Sequence, residues 1–421
     1  MSAPEMISMG CRLNIAESET LRQNLVAANI DGDNLVVINS CAVTNEAVRQ
    51  TRQTIRRVKK ANPEKNIIVT GCAAQVDPAM FAAMPETSAV VGNGDKYDVA
   101  NFKLGLQSNR PNIRVSDIMR ITETTPHMIS AFADRARAFV EIQNGCDHRC
   151  TFCIIPFGRG NSRSIPAGLV VDQVAQLVNK GFQEVVLTGV DVTSYGPDLP
   201  GAPTLGMLIE RILKHVPSLP RLRLSSLDGI EIDDRLFALL TEEPRLMPHV
   251  HLSLQSGDNM ILKRMKRRHS REQAIDLVER LKAKRPEIAI GADIIAGFPT
   301  EDETMFANSL SIIEQCDIVH GHIFPYSPKQ GTPAAKMPQV DGAAIKSRAK
   351  ILRKTVELRA RSWRQSLVGS KQMMLSEMAG DAGYSENFAR IQLEESVGKG
   401  QIIPVDIIGT DDKHLIGRVA A

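Results

Sequence analysis

The segment GCDHRCTFC places Cys146, Cys150 and Cys153 in a C-x3-C-x2-C array. Three thiolates hold three corners of a 4Fe-4S cluster and leave the fourth iron without a protein ligand, open to a substrate or cofactor. Zinc is the alternative. A closed structural zinc site takes four ligands, and His148, two residues from each of two cysteines, is the nearby candidate for the fourth. A second set is spread out: Cys11, Cys41 and Cys72 stand 30 and 31 residues apart, about one βα unit each. Each follows a strand-like run, in SMGC, INSC and VTGC, so successive parallel strands would carry all three thiols to one edge of a sheet. Any one of them alone reads as a small buried hydrophobe. Their shared register points instead to a second three-thiolate cluster. Cys316 ends a helical stretch without a partner at metal-ligand spacing and reads as core.

The fold class expected from the patterning is α/β, in three units. Residues 1–105 alternate short apolar runs with helical stretches, the rhythm of a parallel α/β sheet domain carrying the spread cysteines. Residues 106–134, with NRPN and TETTPH, lose that rhythm and read as a connector. Over 135–365, six strand-like runs begin at Ala138, Glu184, Arg221, His249, Ala289 and Ile318, with helices expected over 169–180, 205–215, 235–240, 271–284 and 303–315. That is a partial (βα)6 barrel, whose chemistry belongs at the C-terminal ends of its strands. The loops there hold Thr188 to Asp191, Ser225-Ser226, Gln255-Ser256 and Gly297 to Thr300. Gly189 permits close backbone approach, and Asp191, Ser226 and Gln255 offer hydrogen-bonding groups for a cofactor. A basic helix over about 345–363 leads into residues 366–421, where four strand candidates suggest a small antiparallel β-barrel.

Composition limits the choices further. At 421 residues, 43% hydrophobic and 24% charged, the chain is an ordinary globular one with more than one domain. Aromatics at 4% argue against a nucleic-acid surface built mainly on stacking. The formal charge of +3 is uninformative, but three basic runs stand out: residues 46–60, 261–272 and 346–364. These are candidates for phosphate contacts, or else solvated helix faces. No apolar run approaches the roughly 18 residues of a membrane span, the first residues lack an export pattern, and the clustered thiols suit a reducing compartment. A cytoplasmic protein with no membrane partner is expected. Gly92-Asn93-Gly94 reads as a turn, and His215, His269, His320 and His322 lack sequence partners for acid-base work.

The C-x3-C-x2-C array after the first strand of a parallel barrel resembles the radical S-adenosylmethionine (SAM) superfamily. The upstream three-cysteine domain and terminal β-barrel resemble its methylthiotransferase branch. Within that branch, NSCAVTNEAVRQTRQ at Asn39, GCDHRCTFCIIPFGRGNSRS at Gly145, LSSLD at Leu224, HLSLQSGDNMILKRMKRRHSR at His251, GADIIAGFPTE at Gly291 and FPYSPKQGTPAAKMPQV at Phe324 are most similar to the tRNA threonylcarbamoyladenosine methylthiotransferases of the MtaB type. The resemblance covers essentially the whole chain. It implies two 4Fe-4S clusters and SAM as cofactors. Cys146, Cys150 and Cys153 would hold the cluster that binds and reductively cleaves SAM, a hard step that a cofactor must carry. Cys11, Cys41 and Cys72 would hold the cluster that supplies sulfur. Thr188 to Asp191 stands where the superfamily has its glycine-rich amino-binding element, although Asp191 falls one position late. The implied product is a methylthio group on carbon 2 of threonylcarbamoyladenosine at position 37 of tRNA. The same chemistry on isopentenyladenosine or on a ribosomal-protein aspartate is an alternative, as is a non-enzymatic iron-sulfur protein for RNA binding or electron transfer. Implied partners are tRNA and an electron donor such as flavodoxin or ferredoxin, with a monomer as the working unit. GYSENFARIQL resembles the TRAM RNA-binding module, yet residues 366–421 hold eight acids against five bases.

Overall fold

A computed structural model describes residues 3–107, 112–122, 135–377 and 379–420. The first sheet is parallel and runs β1 (Glu5–Ser8), β2 (Leu35–Ser40), β3 (Asn66–Gly71), β4 (Ala89–Val91) and β5 (Asn112–Arg114) in spatial order. Its helices are α1 (Arg12–Ala27), α2 (Asn45–Ala61), α3 (Cys72–Val76), α4 (Pro78–Ala82) and α5 (Val99–Gln107). The runs LVVI of β2 and IIV of β3 are continuously apolar because both faces are covered. Val36 and Ile38 pack with Ile55, Val58 and Phe81 on one side. Leu35 and Val37 pack with Leu21, Leu25 and Phe102 on the other. β5 falls inside the stretch expected to be only a connector, where three extended residues pair with β4. Most of that stretch, including most of TETTPH, lies outside the described residues.

The next strands form an arc in two sheets. One is β6 (Arg137–Asn144), β7 (Arg163–Ser164), β8 (Glu184–Gly189) and β9 (Arg221–Leu224), ordered β7-β6-β8-β9. The other runs β10 (Ser226–Leu227), β11 (His249–Gln255), β12 (Ala289–Ala296) and β13 (Ile318–Pro325). All six expected strands are present and pair in parallel, with Ser225 alone separating β9 from β10. The accompanying helices are α6 (Ile155–Arg159), α7 (Ala167–Asn179), α8 (Leu205–His215), α9 (Asp234–Glu242), α10 (Asn259–Arg264), α11 (Arg271–Lys284), α12 (Glu303–Gln315) and α13 (Gly342–Ser366). Sharp N-caps start several of them: Thr204, Asp233, Asp258, Ser270 and Asp302 each accept a backbone N–H of the first turn.

The C-terminal unit is the small β-barrel expected, with five strands where four were read and one parallel pair among antiparallel ones. It is a closed barrel of five strands, β14 (Lys371–Ser376), β15 (Ala382–Ser385), β16 (Arg390–Leu393), β17 (Ile402–Thr410) and β18 (Leu415–Val419), and β16 pairs with β18 in parallel. Its β15–β16 turn sends Phe388 against the rings of His249 and His320 at the N-terminal ends of β11 and β13. This contact docks the small barrel beneath the arc, opposite the strand ends expected to carry chemistry.

Candidate active site

Cys146, Cys150 and Cys153 occupy the loop between β6 and α6. Gly145 begins it with φ +73°, and a Cβ there would stand 1.9 Å from the Asn161 carbonyl oxygen, so only glycine fits. The loop folds back on itself: Cys146 N–H donates to the Gly160 carbonyl and Cys153 N–H to the Cys150 carbonyl, both at 3.1 Å. Gln143 organises its start. This fully buried side chain donates to the Gly145 carbonyl at 2.7 Å and to Ser162 Oγ at 2.9 Å, while its Oε1 accepts Asp191 N–H at 2.9 Å and Val190 N–H at 3.1 Å. The three thiols lie within electrostatic reach of one another.

The spread cysteines converge as their spacing implied. Cys11 caps α1, Cys41 follows β2, and Cys72 opens α3. Gly10, at φ +92°, lets the chain pass so near Cys41 that a Cβ would lie 2.7 Å from that cysteine's own Cβ. Cys41 feels the charges of both Cys72 and Cys11. The two sets also face each other: Cys153 is within electrostatic reach of Cys72, and a Cβ on Gly158 would come 3.2 Å from Cys72 Cβ.

Burial pushes the Cys41 and Cys153 thiols up to about 11. Burial disfavours the thiolate form of these two, and bound iron would supply the positive charge that favours it. Each set therefore fits a three-thiolate metal cluster better than a free thiol site. His148 does not complete a zinc set. Its Nε2 turns away to Asp191 Oδ2 at 2.9 Å and Glu231 Oε1 at 3.5 Å. Those contacts, Asp191 first, push His148 up to about 10, while Glu231 is held near 2 by His148 and Arg268 against the opposing effect of its burial.

The four expected cofactor residues behave differently. Asp191 reaches the cluster loop, 3.9 Å from Cys146 Sγ, but Thr193 and Ser194 hydroxyls also bind it. Gly189 is explained by the neighbouring strand, because a Cβ would meet the Gln143 carbonyl oxygen at 2.6 Å. Ser226 sits on β10 and Gln255 ends β11 with φ +70°, a conformation that costs a non-glycine residue of order 1–3 kcal/mol. Among the described residues, neither side chain has a hydrogen-bond partner, which leaves both available to a ligand.

Sequence reasoning missed the ionic floor under the second set. Arg159, 3% exposed, donates to Glu17 at 2.7 Å and to Cys72 Sγ at 3.1 Å, and Lys96 Nζ lies 2.8 Å from the same carboxylate. Nothing in the α1 text LNIAESETL sets the buried Glu17 apart from the partly exposed Glu19 two residues on. Of the basic runs, residues 261–272 turn largely inward: Arg264 binds Thr300, Arg267 and Arg268 bind Asp228, and Arg271 binds main-chain carbonyls. Only Lys263 and Lys266 remain exposed there without an acidic partner among the described residues. On α2, Arg56, Arg57 and Lys60 are exposed, as are Lys346, Lys350 and Lys354 on α13.

Comparisons with known proteins agree with this anatomy. Residues 140–313 match the model of the Radical SAM superfamily, and residues 5–92 match that of the Uncharacterized protein family UPF0004. The chain is 49% identical to the Threonylcarbamoyladenosine tRNA methylthiotransferase MtaB of Rickettsia prowazekii (strain Madrid E), over 98% of this chain and 96% of that protein. Its counterpart of the same name from Bacillus subtilis (strain 168) is 37% identical over 79% and 76%. The tRNA-2-methylthio-N(6)-dimethylallyladenosine synthase of Roseobacter denitrificans is 30% identical over 97% of each chain. Among solved structures, the radical SAM methyltransferase TsrM from Kitasatospora setae superposes with a TM-score of 0.51 at 15% identity, covering 75% of this chain and 68% of that one, a likeness of fold alone. No helix among the described residues is long and apolar enough to cross a membrane.

Proposed function

The chain belongs to the threonylcarbamoyladenosine tRNA methylthiotransferases of the radical SAM superfamily, and on that footing we propose that it adds a methylthio group to carbon 2 of threonylcarbamoyladenosine at position 37 of tRNA. The observation that carries the reading is the meeting of two three-cysteine sets across α3 and α6. Cys146, Cys150 and Cys153 hold one 4Fe-4S cluster; Cys11, Cys41 and Cys72 hold the other. Three ligands each leave one iron open, which a carrier closed by four thiolates does not. When bound, the first cluster supplies reductive cleavage of SAM and the second supplies sulfur for a carbon that acid-base chemistry cannot activate.

The protein's own side chains hold these groups. Gln143 fixes the first loop against the turn after β8, so Asp191 and the cysteines keep one geometry. Ser226 and Gln255 present free polar groups for SAM. Asp191 and Glu231 hold His148, and with it the middle of the cluster loop, in place. The tRNA backbone is met by Arg56, Arg57 and Lys60 on α2, with Lys263, Lys266 and the lysines of α13 extending the surface. A flavodoxin or ferredoxin class donor and a monomeric enzyme complete the reading, with the cytoplasm favoured because clustered thiols suit a reducing compartment.

The test is anaerobic. The loaded enzyme, given dithionite, SAM and tRNA bearing threonylcarbamoyladenosine, yields 5′-deoxyadenosine and the methylthiolated nucleoside. Cys150→Ala abolishes both products, and Cys41→Ala still cleaves SAM but transfers no sulfur. Normal 5′-deoxyadenosine formation by Cys150→Ala, or sulfur transfer by Cys41→Ala at the parental rate, would sink the assignment. Action on isopentenyladenosine alone would keep the chemistry and replace the substrate.

A further inference from the structure

Arg159 ends α6, six residues after Cys153, and its guanidinium crosses to the other cysteine set. All of its N–H groups find acceptors. Nε donates to Cys72 Sγ at 3.1 Å; Nη1 donates to Glu17 Oε1 at 2.7 Å and Asn144 Oδ1 at 3.1 Å; Nη2 donates to Asn14 Oδ1 at 2.6 Å and Glu17 Oε2 at 3.0 Å. Asn14 Oδ1 in turn lies 3.6 Å from Cys11 Sγ. One guanidinium thus touches Cys72 directly and Cys11 through a single side chain.

The charge beneath the second set does not balance within the protein. Glu17, 1% exposed, faces two buried cations, Arg159 and Lys96. Glu141, also in this network, is pushed up to about 7 by burial first and by Glu17's charge next, so it offsets the surplus only in part. A net positive charge therefore stands against Cys72 and Cys11. Around the first set the charges pair off instead: Asp191 with His148 at 2.9 Å, and Asp228 and Glu231 with Arg267 and Arg268. Asp191 Oδ2 lies 3.9 Å from Cys146 Sγ, and Arg267, at 3.8 Å from Cys150 Sγ, is already paired with Asp228 at 3.0 Å.

One-electron reduction adds negative charge to an iron-sulfur cluster, and hydrogen bonds to its sulfurs together with nearby cations stabilise that added charge. We propose that Arg159 separates the two clusters in reduction potential, holding the second, on Cys11, Cys41 and Cys72, above the first. The inference rests on the reading that both sets bind clusters. An electron from the flavodoxin or ferredoxin class donor then settles on the second cluster before the first is reduced. Arg159 acts here through Cys72 and Asn14, as a positioning and tuning residue.

Potentiometric titration followed by electron paramagnetic resonance tests it on full-length protein. The triple variant Cys146→Ala/Cys150→Ala/Cys153→Ala isolates the second cluster, and Cys11→Ala/Cys41→Ala/Cys72→Ala isolates the first. The second titrates at the higher potential; equal or inverted potentials overturn the proposal without any change at Arg159. In the first background, Arg159→Met moves the second cluster to lower potential, and Arg159→Lys, which keeps the charge and loses the Nε bond, falls between. Should Arg159→Met fail to load because Glu17 and Asn14 lose their donor, Arg159→Gln, which removes the charge but keeps an amide for those acceptors, takes its place. An unmoved potential at parental iron content in either variant overturns the proposal. The two failures are separable, since a Cys146→Ala/Cys150→Ala/Cys153→Ala variant that binds no iron contradicts the two-cluster reading itself.

Discussion

Replacing Gly145 with alanine separates the cost of backbone conformation from the cost of displacing the first cysteine loop. Gly145 and Gly181 both have positive φ, +73° and +93°, so alanine at either position costs about 1–2 kcal/mol for the left-handed region. At Gly181 the new Cβ meets nothing within 4 Å, and that is the whole penalty. At Gly145 it falls 1.9 Å from the Asn161 carbonyl oxygen, far inside contact distance, so main chain must move by about 1 Å or more. Three hydrogen bonds depend on those atoms: Cys146 N–H to Gly160 O at 3.1 Å, Gln143 Nε2 to Gly145 O at 2.7 Å, and Arg163 Nη1 to Asn161 O at 2.7 Å. At about 1 kcal/mol each their loss adds about 3 kcal/mol, or roughly a hundredfold in the population of the native loop. The assay is iron and sulfide content after anaerobic reconstitution, with 5′-deoxyadenosine formation alongside. Gly145→Ala loses about half its iron, the share of one cluster in two, and cleaves little SAM; Gly181→Ala keeps both and shows only a lowered unfolding midpoint. Full iron and parental cleavage in Gly145→Ala would refute the reasoning that this turn holds the ligands in place.

Three further outcomes follow from the same geometry. Glu17→Gln leaves Arg159 and Lys96 buried without their carboxylate and destabilises the protein by about 3–5 kcal/mol in urea unfolding, where a loss under about 1 kcal/mol would contradict the ionic floor. Burial holds His320 down to about 3, so the unfolded chain takes up a proton below pH 6.5 that the folded chain refuses until about 3. Stability therefore falls as pH drops through that window, by up to about 1.4 kcal/mol per pH unit for this one group, and His320→Gln flattens the slope; an unchanged slope would remove His320 from the account. Neutralising Arg56, Arg57 and Lys60 together weakens tRNA binding and lowers the salt dependence by about one unit per lost phosphate contact, as measured by filter binding across a salt series; identical curves would move the interface elsewhere.

What could be read in advance was local or periodic. The long strands β2, β3, β6, β8, β11, β12 and β13 announce themselves as apolar runs, and α8, α11 and α12 begin and end where their apolar spacing starts and stops. The two-residue strands β7 and β10 are too short to carry a period, and the AGYS of β15 contains a glycine that weakens any strand signal. Both cysteine sets were legible for different reasons, one from close spacing and the other from a regular interval matched to the βα unit. Arg159 was not, because its partners Cys72 and Glu17 lie 87 and 142 residues away. The same limit explains the run at 261–272: charge in sequence marks phosphate contacts and internal ion pairs alike, and only the fold shows that Arg267 and Arg268 have Asp228 to hold. Gly189 was read as a close approach for a cofactor, and the group the structure brings against it is the carbonyl of β6.

Nucleoside mass spectrometry of total tRNA, from cells with and without this protein, tests the central claim most directly. The account predicts that 2-methylthio-threonylcarbamoyladenosine disappears while threonylcarbamoyladenosine accumulates, and that the parental chain restores the product where Cys41→Ala does not. An unchanged profile of modified adenosines in cells lacking the protein would contradict it.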